Sequence, residues 1–122
     1  MKKILIVDDD AQVSTLLGYK FVQAGYQVIS AVSGTDGLKK IYEEKPDLIV
    51  LDICMPDLEG TEVAQTLKKD PKTRNIPIIF LTALMTKEDE ATFEQGITKN
   101  VIFAKPIESN KILDKVREFL ET

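Results

Sequence analysis

The sequence predicts an α/β fold built on a mostly parallel sheet, and three observations predict it. Five short apolar runs alternate strictly with segments whose apolar residues recur at helical spacing, the pattern of consecutive β-α units. The runs at 48–51 (Leu-Ile-Val-Leu) and 78–81 (Ile-Ile-Phe-Leu) are apolar without alternation, as strands covered on both faces must be. Polar residues follow most of these runs, and the carboxyl edge of an open parallel sheet is where ligands bind. The crossovers are expected to be right-handed.

Each element has its own justification. Residues 4–7 (Ile-Leu-Ile-Val) read as the first strand. Val13, Leu16, Leu17, Phe21 and Ala24 then recur at helical spacing, and Gly25 suits the position just past a helix end. Val28, Ile29 and Ala31 form a weaker strand. Leu38, Ile41 and Tyr42 mark a helix that stops before Pro46, and 48–51 is the third strand. Val63, Ala64 and Leu67 give a helix ending near Asp70 and Pro71, followed by the fourth strand at 78–81. A helix opened by Thr86 and containing Ala91 is expected next, then the fifth strand at 101–104. Ile112, Leu113, Val116, Phe119 and Leu120 form the most regular amphipathic helix, with Ser109 as its expected cap.

Composition narrows the function. At 122 residues the chain is sized for one domain over 1–122, standing alone or as the N-terminal part of a longer protein. Lys and Arg number 16 against 20 Asp and Glu, a net charge of −4, which gives no broad attraction for nucleic acid or an anionic membrane. The four basic residues within 68–74 read as a solvated helix end. No apolar run approaches the roughly 20 residues of a membrane helix, and the basic start meets three aspartates too soon to be a signal peptide. A cytoplasmic protein is expected. The chain has no histidine and one cysteine, Cys54. Ser-His-Asp catalysis, histidine-bound zinc, cysteine-cluster metals and an internal disulfide are thereby excluded. Any metal should be a hard ion held by oxygen.

The residues that end the strands carry the chemistry. Asp8, Asp9 and Asp10 follow the first run, Asp52 the third, Thr82 the fourth, and Lys105 with Pro106 the fifth. Crowded carboxylates disfavour one another's ionisation unless a cation neutralises them, and magnesium suits one or two carboxylates plus waters and a phosphate. Phosphoryl transfer is largely positioning and charge stabilisation, which magnesium, the Lys105 ammonium and the Thr82 hydroxyl can supply. Asp52, alone at the end of a central strand, suits a carboxylate nucleophile that forms an aspartyl phosphate. Asp10 reads as a helix cap, and Cys54 as a semi-buried filler. A flavin- or nucleotide-binding domain of the same topology is the alternative class. It needs amide-rich turns facing phosphate, where this chain places three aspartates.

These residues, in this order and spacing, resemble the receiver domain of two-component response regulators. The motifs are Asp8-Asp9, the 48–52 run ending in Asp52, Met55-Pro56 with Gly60 downstream, Leu81-Thr82-Ala83, and Lys105-Pro106. The resemblance covers essentially the whole chain. It implies a doubly wound, flavodoxin-like five-stranded sheet of order 2-1-3-4-5 with five helices. It implies Asp52 as phosphoacceptor, and Mg2+ held by Asp9, by Asp8 mainly through water, by Asp52 and by the backbone carbonyl of Cys54. Thr82 and Lys105 would contact the phosphoryl group. The phosphoryl source would be a sensor histidine kinase or a histidine phosphotransfer protein, and the output a downstream protein target, with no direct nucleic-acid or membrane binding by this chain. Such a domain is no conventional enzyme, but it is expected to catalyse its own phosphorylation. Autodephosphorylation should be slow, because Cys54 and Leu84 stand where the family places the residues flanking the hydrolytic water. The sequence departs from the family at Ile102, where an aromatic residue is usual, and 96–105 is slightly longer than usual. A receiver-like module that works without phosphorylation is the runner-up reading.

Overall fold

Strands this apolar need cover on both faces, and the arrangement of helices supplies it. The computed structural model describes residues 1–55, 57–82, 100–104 and 108–121. In chain order its elements are β1 (Lys3–Val7), α1 (Ala11–Gln23), β2 (Gln27–Ala31), α2 (Gly34–Glu44), β3 (Leu48–Asp52), α3 (Gly60–Lys69), β4 (Ile78–Thr82), β5 (Asn100–Ala104) and α4 (Ser109–Leu120). All four strand pairs are parallel, and the order is β2-β1-β3-β4-β5, as the resemblance implies. The expected helix containing Thr86 and Ala91 lies outside the described residues, among which there are four helices.

Alternate side chains of each strand enter opposite cores. Leu5, Val7, Ile49, Leu51, Ile78 and Phe80 pack with Ile41 of α2 and Val63 and Leu67 of α3. Ile4, Ile6, Leu48, Val50, Ile79 and Leu81 pack with Leu17 and Phe21 of α1 and Ile112 and Val116 of α4. β3 is buried at every position, which is why its sequence shows no alternation.

The helix ends are set locally. Asp10 caps α1, its Oδ1 accepting the Gln12 N–H at 2.9 Å, and Gly25 beyond the helix takes φ 98°. Ser33 Oγ accepts the Asp36 N–H at 3.1 Å at the start of α2. Two sequence expectations need correction. Ser109 is already the first residue of α4, and the capping position falls to Glu108, whose side chain makes no capping bond. Glu108 instead pairs with Lys111 at 3.0 Å. Leu16 is 46% exposed, because the buried stripe of α1 follows the i, i+4 row through Val13, Leu17 and Phe21 and leaves Leu16 to one side. The basic residues within 68–74 are exposed, as expected. No helix among the described residues is long and apolar enough to cross a membrane.

Candidate functional site

The site begins with a register. β1 and β3 are parallel neighbours paired Val7 to Leu51, so Asp8 and Asp52 leave the sheet side by side. Both are buried, Asp8 at 1% and Asp52 at 3% exposure. The Asp8 backbone N–H still donates to Ala31 O at 3.1 Å, which holds it on the sheet edge. Its Oδ1 accepts the Asp10 N–H at 2.8 Å, and Asp10 is committed to the α1 cap. Asp9, between two fixed residues, is turned to solvent. Carboxylate oxygens of Asp8, Asp9 and Asp52 lie within 4.8 Å of one another. Asp10, read from the sequence as a cap, is outside this cluster.

Thr82 and Asp52 belong to the same edge. β4 pairs with β3 so that Leu81 faces Asp52, and Thr82 is the next residue, 3% exposed. Thr82 is paired with Ala104, after which Lys105 follows in sequence. Lys105 lies outside the described residues, as does Leu84. The structure therefore brings Asp8, Asp9, Asp52 and Thr82 to one edge.

The loop after β3 completes the surroundings. Cys54 is exposed rather than semi-buried. β3 ends at Asp52, so Cys54 has already left the sheet, and its N–H turns back to Asp52 Oδ1 at 3.2 Å. Gly60 N–H closes the loop on Ile53 O at 2.9 Å. A Cβ at Gly60 would collide with the backbone oxygen of Asp52, so the start of α3 can approach the strand that ends in Asp52 only without a side chain.

Sequence reading missed Asp57. Its Oδ1 accepts the Gly34 N–H and its Oδ2 the Thr35 N–H, both at 3.1 Å, at the N-terminus of α2. Hydrogen bonding from Thr35, through its hydroxyl first and its N–H second, lowers the Asp57 pKa to about 2, with a smaller contribution from Gly34. The charged form makes these bonds, so their contribution to stability is present above the usual carboxylate range near about 4. It is lost as pH falls towards 2. The partners lie 22 and 23 residues away, so no local motif reveals the contact.

Ile102 and Phe103 occupy opposite faces of the sheet. Ile102, paired with Phe80, packs against the α2–α3 core, and Phe103, paired with Leu81, against the α1–α4 core. Phe103 therefore cannot stand in for the aromatic residue usual at position 102, because a one-residue offset in a strand reverses the face.

The donor set of the cluster is all oxygen, with two buried carboxylates fixing its position and one exposed carboxylate leaving room for waters. That suits magnesium. The description "response regulator receiver domain" belongs to the family model that matches residues 4–117. The chain belongs to this family. Receiver domains generally bind magnesium at an acidic cluster, and this one has Asp8, Asp9 and Asp52 close together. Its role is that of a phosphorylation-dependent receiver in two-component signalling. The chain is 39% identical over 121 residues to the alkaline phosphatase synthesis transcriptional regulatory protein PhoP of Bacillus subtilis, covering 98% of this chain and 48% of that one. It thus spans about half the length of the transcriptional regulators it matches. The polar-differentiation response regulator DivK of Brucella ovis is 34% identical over 119 residues, covering 98% of this chain and 96% of that one. The crystal structure of a putative response regulator from Chloroflexus aurantiacus superposes with a TM-score of 0.87 at 33% identity, covering 99% of this chain and 98% of that one.

The like charges of the cluster predict a stability effect. Unit charges at this spacing repel by about 1 kcal/mol in a water-like dielectric, the relevant limit for exposed Asp9. Asp9→Asn should therefore raise the unfolding free energy of the metal-free protein by about 1 kcal/mol in urea melts with chelator. The same variant should bind magnesium more weakly. Unchanged magnesium affinity would remove Asp9 from the ligand set.

Proposed function

We propose that Asp52 accepts a phosphoryl group from a phosphohistidine on a sensor kinase or phosphotransfer protein. The observation that carries this reading is a buried carboxylate at the end of the central strand, grouped with Asp8 and Asp9. A carboxylate oxygen of Asp52 attacks phosphorus in line. The O–P bond forms as the P–N bond to the donor imidazole breaks, and the released imidazole takes a proton from solvent. Asp52 Oδ1 already accepts the Cys54 N–H, which fixes the carboxylate orientation.

Asp8, Asp9, Asp52 and the Cys54 carbonyl would hold the magnesium ion. When bound, that ion neutralises the carboxylates and offsets charge on the phosphoryl oxygens. The Thr82 hydroxyl, on the neighbouring strand, would contact a phosphoryl oxygen, and Lys105 would supply the compensating positive charge. Cys54 offers an approaching water only a weak donor, which supports slow autodephosphorylation.

A protein donor must also cover the surface around the site. Ala11, Gln12, Thr15, Leu16 and Tyr19 line a shallow, largely apolar depression on α1, directly after Asp9 and Asp10. Leu16 and Tyr19 are 46% and 62% exposed. An exposed apolar strip beside a charged site suits a helical partner.

Two experiments test these assignments. Incubation with magnesium and acetyl phosphate should add one phosphoryl group to the wild type, seen by mass spectrometry, and none to Asp52→Asn. Equal labelling of both proteins would move the phosphoacceptor elsewhere. Tyr19→Ala should slow transfer from a phosphorylated histidine phosphotransfer protein about tenfold, the cost of about 1.4 kcal/mol of lost contact. Labelling by acetyl phosphate should be unchanged. A parallel loss with both donors would mean that Tyr19 supports the fold instead of the partner.

A further inference from the structure

We infer that Asp57 is a positioning residue for the metal site, tying the loop that bears Cys54 to the helix that packs on the strand bearing Asp8. This rests on the assignment of magnesium to Asp8, Asp9, Asp52 and the Cys54 carbonyl.

The hydrogen bonds of α2 account for one end of the tie. The first helical N–H groups have no partner within their helix. Here Ser33 Oγ takes the Asp36 N–H, and Asp57 takes those of Gly34 and Thr35. All three are satisfied, two of them by a residue from another loop, and the helix dipole favours a carboxylate at this end. Packing supports the same contact. A Cβ at Gly34 would stand 2.5 Å from Leu58 O, so the loop backbone lies directly against the start of α2.

The other end of the tie reaches the carboxylates. A Cβ at Gly37 would stand 2.8 Å from Val7 Cγ1, so the first turn of α2 rests on the residue that precedes Asp8. The loop after β3 is therefore held on both sides of Cys54. The Gly60-to-Ile53 bond fixes its base, and Asp57 fixes its far side to α2. Asp57 thus couples the two segments that must keep a fixed separation to share one ion. Partners that orient metal ligands typically change affinity by about 10- to 100-fold when removed.

The test is a magnesium titration followed by NMR amide shifts, together with hydrogen exchange at Gly34 and Thr35, on wild type, Asp57→Ala and Asp57→Asn. Asp57→Ala should weaken magnesium binding about tenfold and speed exchange at both amides. Asp57→Asn should fall between, because its side chain offers one carbonyl oxygen where the carboxylate offers two. An Asp57→Ala protein that exchanges faster at Gly34 and Thr35 but binds magnesium within about twofold of wild type would reduce Asp57 to a helix cap and overturn the inference. Unchanged exchange would overturn it as well, by showing that the bridge is not made. A wild type without saturable shifts would instead bring down the magnesium assignment, and this inference with it.

Discussion

Two neighbouring parallel strands bring aspartates level with each other, Asp8 just past the end of β1 and Asp52 at the end of β3, and the rest of the site answers to that constraint. The Val7–Leu51 register sets Asp8 beside Asp52, and Asp9 joins them, so three carboxylates share a space under 5 Å across. The fold can carry this conflict because the strands beneath it are so heavily buried. Ile4, Leu5, Ile6, Val7, Leu48, Ile49, Val50 and Leu51 are each fully buried. At roughly 1.5–3 kcal/mol per side chain, together they contribute about 12–24 kcal/mol. Repulsion among the charges costs about 1 kcal/mol per pair near solvent, up to about 4 at an effective dielectric near 20. The burial outweighs the repulsion, which stays at the sheet edge, where a bound cation would relieve it.

The edge is also where different parts of the chain meet. Asp10 is drawn out of the cluster by the α1 cap, Cys54 turns its N–H to Asp52, and Gly60 lets α3 begin against the Asp52 backbone. Changes in charge at Asp52 therefore act on backbone already bonded to it. Ile102 and Phe103 lie on opposite faces of the sheet. Ile102 packs against the α2–α3 core and Phe103 against the α1–α4 core. An aliphatic side chain at 102 has no ring to reorient.

The fold was largely legible because its signals are local. Unalternating apolar runs marked β3 and β4, and the polar residue after each run marked the ligand edge. Once strand order is known, those residues converge without further information. What escaped has long-range or geometric causes. Asp57 meets α2 across more than 20 residues. Leu16 fits a helical period, yet it lies beside the buried stripe rather than on it. Cys54 follows a buried strand but sits past the point where the chain leaves the sheet. Ser109 has the chemistry of a cap, but the helix begins one residue too early for it. The order of the strands came from the resemblance, since periodicity alone does not rank them.

The most direct test of the central claim is the thermal melting of wild-type protein across a magnesium titration, against sodium chloride at matched ionic strength. Relief of the carboxylate conflict by a bound ion predicts stabilisation by magnesium that reaches about 1.4 kcal/mol at ten times the dissociation constant and rises logarithmically beyond it. It also predicts a much smaller effect from sodium chloride. Equal stabilisation by the two salts, or none from magnesium, would contradict the account.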